Sequence, residues 1–166
     1  NDDSAHLYGP VLGNMALREA LAKKTNNHYG ASIQAQNVAI TSGCNQAFAA
    51  AIASLCAEGD EVILPTPWYF NHKMWLDMSG VTSVPLPTGP DLLPSAQAAA
   101  KLITPRTRAI ALVSPNNPAG VEYPADLLNS FFELAQTHGI ALIVDETYRD
   151  YHSKDGAPHN LFNQPL

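Results

Sequence analysis

Two runs of consecutive aliphatic residues, 109–113 and 140–144, constrain the fold of this chain more than any other feature. A strand with one face in water alternates apolar and polar residues, whereas an unbroken apolar run suits a parallel sheet that is covered on both faces. A helical pattern over 124–138, with proline at its first position and Gly139 after its end, separates the two runs. The order strand, helix, strand predicts that the two runs lie in the same sheet as parallel strands.

The same alternation extends over most of the chain. Further strands are predicted over the short β-rich or apolar runs 38–41, 61–64 and 81–86. Further helices are predicted from apolar spacing or alanine content over 14–27, 46–57, 69–78 and 92–102. We therefore expect an α/β fold of three layers, α/β/α, with a mostly parallel central sheet.

Length, charge and cysteine content narrow the class of function. A chain of 166 residues, 46% of them hydrophobic, suits one core and one domain. The formal charge of -6, with neither a basic run nor a basic helix face, argues against nucleic acid or an anionic membrane as the main partner and favours a small molecule. Cys44 and Cys56 have no paired spacing and no apolar leader is evident, so we expect a reduced, cytoplasmic setting.

Polar motifs follow both aliphatic runs. Asn117 begins an Asn-Pro-Ala-Gly turn after the first run, and Asp145 and Tyr148 follow the second. An open α/β sheet binds its ligands at such an edge. Asp145 can keep an aromatic ring nitrogen protonated, while Asn117 and Tyr148 can donate to a ring oxygen. Each residue by itself could be a turn residue, a helix cap or an interior tyrosine, but together they fit pyridoxal 5′-phosphate (PLP), whose protonated ring is an electron sink.

In their order along the chain, these motifs resemble the cofactor-binding part of the class I and II aminotransferases, which are fold-type I PLP enzymes. The resemblance implies PLP-dependent transfer of an amino group from an amino acid to a 2-oxo acid, with no metal. It also implies that residues 1–166 are a partial large domain, since the family's Schiff-base lysine and its small domain come later. A PLP-dependent lyase or synthase, and the aminotransferase-like effector domain of a transcription regulator, are the alternatives.

The resemblance places the family's phosphate loop at Gly43, Cys44 and Asn45, between a predicted strand and a predicted helix. The first amides of a helix can hold a phosphate, although many strand-to-helix turns contain glycine for structural reasons only. Cys44 could instead be a nucleophile, since a helix N-terminus lowers the pKa of a thiol, but the sequence offers no recognisable base partner. We expect the phosphate-binding role.

An aromatic cluster follows the strand predicted over 61–64. By resemblance, Tyr69 stacks on the cofactor ring, whereas Trp68 and Phe70 are expected to pack in the core. His72 is expected either to support the aspartate beneath the ring or to have a surface or packing role.

Two further features come from the resemblance. The Thr66-Pro67 and Asn117-Pro118 peptide bonds are candidates for the cis form. Tyr8 matches the family tyrosine that reaches the phosphate of the neighbouring subunit, which implies a homodimer with shared sites. The alternative for Tyr8 is a structural residue in the turn-rich segment before the first helix.

No lysine in the sequence suits the covalent position that the family requires. Four lysines lie on predicted helix surfaces and the fifth is too close to Tyr148; they are Lys23, Lys24, Lys73, Lys101 and Lys154. The catalytic residues expected within this chain are therefore Asp145 and Tyr69, and the Schiff-base lysine is expected outside it.

Overall fold

The computed structural model describes residues 7–153 and 155–164. Within these residues the central sheet has four strands, all parallel: β1 (Glu61–Thr66), β2 (Thr82–Pro87), β3 (Thr107–Val113) and β4 (Ala141–Asp145). The strands lie in the order β2-β1-β3-β4. The parallel sheet predicted from the unbroken aliphatic runs is confirmed, and both runs form neighbouring strands.

Helices of different length connect these strands. They are α1 (Met15–Tyr29), α2 (Cys44–Leu55), α3 (Phe70–Met78), α4 (Ala96–Ala100) and α5 (Ala125–His138), with 3₁₀ turns at Ala35–Asn37, Arg149–Tyr151 and Leu161–Asn163. Pro124 is the N-cap of α5 and not its first residue. Across the described residues, no helix is both long and apolar enough to cross a membrane.

The sheet is covered on both faces, which confirms the three-layer prediction. Helices α2 and α3 cover one face, where the buried side chains include Phe48, Ile52, Val62, Leu64, Leu76, Ala109 and Ala111. Helices α4 and α5 cover the other, where they include Ile63, Ala99, Ile110, Leu112, Leu128 and Phe131. Successive residues of β1 and β3 alternate between the two cores, so these central strands are apolar through most of their length.

The strand order places a crevice at one edge of the sheet. The chain passes from β1 to β2 on one side and then crosses to β3 on the other side of β1. Connections that leave in opposite directions open a crevice at the carboxyl ends of the strands, where α/β folds bind ligands. Strands β3 and β4 end in register at Val113 and Asp145. The segments that follow these two residues therefore start side by side.

Strand β4 lies at the margin of the described sheet. Among the described residues it pairs only with β3, and its residues 141–144 are half-buried rather than buried. Beside it runs an apolar groove lined by residues of β4, α5 and the 3₁₀ turn Leu161–Asn163.

The strand predicted over 38–41 is wrong. Ile40 N donates to the carbonyl of Leu12 (3.0 Å), and the carbonyl of Val38 accepts from Nε of Arg18 (2.8 Å). The backbone groups that would have joined a sheet are therefore used by α1 and the segment before it.

The helix predicted over 92–102 is too long, because only the five residues of α4 are helical. Leu92 has a φ of +60°, outside the range of a right-handed helix. Pro94 disfavours helical geometry at the residue before it. The helix begins only after Ser95, whose hydroxyl accepts from Ala98 N (3.3 Å).

Candidate functional site

A cavity of about 220 Å³ opens where β1, β3 and β4 end. Its walls are formed by Cys44, Asn45, Tyr69, Val113, Asn117, Asp145, Thr147 and Tyr148. All of these except Val113 and Thr147 were predicted as site residues, and Gly43 precedes Cys44 directly. The structure thus brings together side chains from four separate stretches of the chain.

Asp145, the last residue of β4, carries the buried carboxylate of the cavity. Its Oδ1 accepts hydrogen bonds from the backbone N (2.9 Å) and the hydroxyl (2.7 Å) of Thr147, and its Oδ2 lies 3.1 Å from His72 Nε2. Burial raises the pKa of this carboxyl group, but the contacts with His72, Thr147 and Cys44 outweigh burial and hold it well below its ordinary value. Asp145 therefore stays ionised although it is buried.

His72 supports Asp145 from α3. Its ring is buried, stacks on Phe48 with 3.9 Å between centroids, and meets Tyr69 edge-on at 5.2 Å. Nε2 lies within hydrogen-bond distance of Asp145 Oδ2, although the ring N–H is not aligned with that oxygen. Of the roles considered for His72, the structure favours support of the carboxylate.

Asn117 and Tyr148 lie side by side at the cavity. Asn117 Nδ2 donates to Tyr148 Oη at 3.4 Å, so the two groups expected to share one ring oxygen are close enough to do so. Tyr148 is 39% exposed, which excludes the interior role considered for it. The Thr66-Pro67 and Asn117-Pro118 bonds are both cis, as expected, and Ser114-Pro115 is also cis.

Asn116 holds the turn in place but was not predicted as a site residue. It is buried, its Oδ1 accepts from Ala119 N (2.9 Å), and its Nδ2 donates to Tyr123 Oη (3.1 Å). Burial raises the pKa of Tyr123 to about 12, so its phenol stays protonated. In the sequence Asn116 is simply another turn residue beside Asn117, and only its burial shows that it orients the turn.

The N-terminus of α2 forms one wall of the cavity through Cys44 and Asn45, its first two residues. No described side chain caps this end, so the first amides have neither a helical nor a capping partner. Gly43 has a φ of +90°, and a Cβ there would meet nothing within 4 Å. Backbone conformation rather than crowding therefore calls for glycine at this position.

Cys44 does not have the properties of a nucleophile. Its thiol donates to Asp145 Oδ1 at 3.3 Å. Burial is the largest influence and raises the pKa of Cys44; the Thr147 hydroxyl lowers it, and the Asp145 carboxylate raises it again, so the pKa lies above its ordinary value. The thiolate that a nucleophile needs is thus disfavoured at this position.

The aromatic cluster divides into three environments. Tyr69 precedes α3 and lines the cavity, with its Oη accepting from Asn71 Nδ2 (3.1 Å). Trp68 packs against the core under α2 and α3, as expected. The core position predicted for Phe70 is wrong: its side chain is 60% exposed, since the first residue of α3 faces away from the sheet.

Tyr8 and the described lysines lie away from the cavity. Tyr8 is fully exposed and does not line the cavity of its own chain. Lys24 pairs with Asp150 and Lys73 with Asp77, while Lys23 and Lys101 are exposed, and none of the four contributes to the cavity wall. Lys154 lies outside the described residues.

Comparison with known families shows the family of the chain. Residues 1–163 match the family model described as aminotransferase class I and II. The chain belongs to the class I and II aminotransferase family. The cavity therefore lies at the carboxyl ends of the parallel strands of an aminotransferase fold.

Individual aminotransferases resemble the chain along most of its length. A probable aspartate/prephenate aminotransferase of Thermus aquaticus is 34% identical over 143 residues, which are 85% of this chain. The aromatic aminotransferase ISS1 of Arabidopsis thaliana is 35% identical over 157 residues, or 92% of this chain. The chain spans only 37% and 39% of these two relatives.

Solved aminotransferase structures have the same fold. An alanine aminotransferase from Pyrococcus furiosus superposes with a TM-score of 0.87 at 28% identity, covering 96% of this chain and 42% of the other. Thermus thermophilus aspartate aminotransferase with maleate superposes with a TM-score of 0.86 at 32% identity, covering 91% and 40%. These similarities confirm the fold-type I architecture.

Proposed function

We propose that the protein to which this chain belongs is a PLP-dependent aminotransferase that moves an amino group from an amino acid to a 2-oxo acid. The observation that carries the proposal is the convergence of Asp145, Asn117 and Tyr148 on one cavity beside the uncapped end of α2. Every relative and solved structure named above is an aminotransferase, which favours amino-group transfer over the lyase and regulator alternatives.

The groups around the cavity fit the three polar parts of PLP. The Asp145 carboxylate suits a protonated ring nitrogen, because it is ionised and buried. Asn117 Nδ2 and Tyr148 Oη suit the phenolic oxygen of the ring. The first amides of α2, at Cys44 and Asn45, suit a phosphate, since a helix N-terminus favours anions.

When bound, PLP would supply an electron sink for the charge that develops at the α-carbon of the amino acid. Asp145 would hold the proton on the ring nitrogen, and His72 would keep the carboxylate in place from behind. Tyr69 would offer its ring face for stacking, as the resemblance implies. Burial of Asp145 strengthens its electrostatic contribution, because the field of a carboxylate is screened less away from water.

We also propose that the covalent lysine comes from a part of the protein outside this chain. None of the four described lysines lines the cavity, and the named relatives are more than twice as long as the segment they share with the chain. Borohydride reduction of the isolated chain with PLP should then leave no specific lysine adduct. A stoichiometric adduct on one lysine, found by peptide mass spectrometry, would contradict this assignment.

A homodimer with shared sites is part of the same proposal. Tyr8 is fully exposed, and the surrounding segment also exposes the apolar side chains Leu7, Val11, Met15 and Leu17. Mixing inactive Tyr8→Ala and Asp145→Ala subunits of the full-length protein should restore activity, because each hybrid dimer contains one site with both original residues. Absence of recovery, despite hybrids detected by native mass spectrometry, would contradict the shared site.

A reducing, cytoplasmic setting is proposed as well. Cys44 and Cys56 are both free and lie at opposite ends of α2, so they do not pair with one another. Thiol titration of the protein as isolated from its source should find both cysteines reduced.

The activity itself is tested on the full-length protein with a panel of amino acids and 2-oxo acids, with amino-group transfer followed by product analysis. Asp145→Ala should remove most activity and leave the fold unchanged. Asp77→Ala, which removes an exposed carboxylate on α3, is the control and should be fully active. Near-normal turnover in Asp145→Ala would count against the proposal, and release of ammonia in place of a new amino acid would support the lyase alternative.

A further inference from the structure

Three buried or half-buried titratable side chains meet behind the cavity without taking part in it. Tyr29 Oη donates to Glu146 Oε1 at 2.5 Å, and His159 Nε2 lies 3.1 Å from the same oxygen. The rings of Tyr29 and His159 are buried and stack with 4.8 Å between centroids. We call these three residues the Glu146 cluster. Glu146 and His159 border the apolar groove beside β4 and not the cavity.

The hydrogen bonds of the cluster define which atoms donate. His159 Nδ1 accepts from Leu161 N (3.3 Å), which leaves Nε2 to carry the proton that it donates to Glu146. Glu146 thus accepts from an imidazole and a phenol at the same oxygen. Burial raises the pKa of Glu146, but the bonds from His159 and Tyr29 outweigh burial and lower it, so its carboxylate is ionised.

The cluster connects two other parts of the chain to one short turn. Tyr29 is the last residue of α1, and His159 precedes the 3₁₀ turn Leu161–Asn163. Glu146 lies directly after Asp145, and its carbonyl accepts from Arg149 N (2.9 Å), which closes the turn that carries Tyr148. The Glu146 side chain is therefore anchored on the same short stretch of backbone that carries the cavity residues Asp145, Thr147 and Tyr148.

We propose that Tyr29 and His159 are positioning residues for the cofactor site, because they hold Glu146 and so fix the turn that presents Asp145 and Tyr148 to the cavity. A site needs its contacting groups held by a supporting layer of hydrogen bonds, since small displacements cost much of their effect. The cofactor part of this inference rests on the proposed function. Its geometric part, that the cluster sets the position of Asp145, does not.

A matched control separates positioning from plain stabilisation. Thr104 Oγ1 donates to Glu61 Oε2 at 2.6 Å, near the start of β1 and so at the opposite edge of the sheet from the cavity. Tyr29→Phe and Thr104→Val each remove one hydroxyl donor from a glutamate with little change of shape. Both variants should lower the urea midpoint of unfolding, and only Tyr29→Phe should alter the cavity.

Cys44 provides a readout of the cavity that needs no cofactor. Its thiol contacts Asp145, whose carboxylate helps to raise the thiol pKa. Alkylation by iodoacetamide, resolved by peptide mass spectrometry across a pH series, gives the rate of Cys44 relative to N-acetylcysteine added to the same sample. If Tyr29→Phe displaces Asp145, the midpoint pH for Cys44 falls and its relative rate rises, while Thr104→Val leaves both unchanged.

The second readout is affinity for pyridoxine 5′-phosphate, which has the ring, phenol and phosphate of PLP but no aldehyde. We expect affinity to fall about tenfold in Tyr29→Phe, the lower end of what loss of a supporting contact costs at other sites, and to stay unchanged in Thr104→Val. Should Tyr29→Phe fail to fold, Glu146→Gln and Glu146→Ala replace it. Glutamine keeps an acceptor for Tyr29, so it should preserve the Cys44 rate better than alanine does.

The outcomes are distinct. Tyr29→Phe overturns the inference if it is destabilised but keeps the relative Cys44 rate of the original chain and its affinity for pyridoxine 5′-phosphate. The cluster would then only stabilise the fold. Equal Cys44 rates in Glu146→Gln and Glu146→Ala would overturn it too. If the original chain binds no pyridoxine 5′-phosphate while the Cys44 rate responds to Tyr29→Phe alone, the positioning role stands and the proposed cofactor fails.

Discussion

Replacing Asp145 with asparagine should separate charge from shape at the cofactor site. Asparagine keeps the size of the side chain and an oxygen that can accept from Thr147 N and Oγ1, now at 2.9 and 2.7 Å. A hydrogen bond to a charged group contributes about 1.5–3 kcal/mol, against about 0.5–1.5 kcal/mol for a neutral pair. Loss of the charge should therefore cost about 1.4 kcal/mol, or roughly a tenfold weaker affinity for a protonated pyridine ring.

Calorimetric titration of the chain with pyridoxine 5′-phosphate measures this difference, because the ligand cannot react with surface lysines. Circular dichroism checks that the fold is retained. An analogue with carbon in place of the ring nitrogen should bind the original chain no better than Asp145→Asn, because its C–H gives the buried carboxylate no donor. Asp77→Asn should bind pyridoxine 5′-phosphate like the original chain. Equal affinity of the original chain and Asp145→Asn for pyridoxine 5′-phosphate would refute the pairing of Asp145 with the ring nitrogen.

Three further predictions concern stability, each measured by urea unfolding. Gly43→Ala should lose about 1–3 kcal/mol, because alanine is strained at a φ of +90° with a ψ of 169° although its Cβ has room; no loss would mean that the turn relaxes. Phe131→Ala should lose about 3–5 kcal/mol from the core under α5, and the exposed Phe70→Ala should lose less than about 0.5 kcal/mol. The Thr104 hydroxyl, with Arg106, holds the pKa of Glu61 below its ordinary value although Glu61 is buried. The ionised Glu61 therefore stabilises the folded state above about pH 4.3, the pKa of the unfolded chain. This contribution disappears as the pH falls through the pKa of the folded protein. Glu61→Gln should thus flatten the acid side of the stability curve, and an unchanged slope between about pH 5 and 3 would contradict it.

Much of the fold could be predicted because two neighbouring strands contain unbroken aliphatic runs. The runs 109–113 and 140–144 supply residues to both cores in alternation. Their lack of a polar and apolar alternation therefore indicated strands of a parallel sheet covered on both faces. Most of the cavity could be predicted for a related reason. Asp145 ends a strand and Asn117 and Tyr148 come within four residues of a strand end, and parallel strands that end in register bring such residues together.

What the sequence did not show depends on contacts between distant segments. Asn116 orients its turn only because it is buried against Tyr123, and Tyr29 reaches Glu146 across 117 positions of sequence. No local pattern encodes either contact. Phe70 was assigned to the core from its apolarity, but its position at the start of α3 leaves it in solvent. The spacing of apolar residues predicts which face of a helix is buried, but it does not predict which residue of the first helical turn is exposed to solvent.

The margin of the sheet at β4 has a practical consequence for work with the isolated chain. Its backbone donors and acceptors have no strand neighbour on the outer side among the described residues, and its aliphatic side chains are half-buried next to an apolar groove. Such a margin is a template on which a second molecule can add its own strand. Oligomers of the isolated chain at high concentration are therefore expected to include pairs joined edge to edge, and a measured dimer represents the enzyme only when it also depends on the segment around Tyr8.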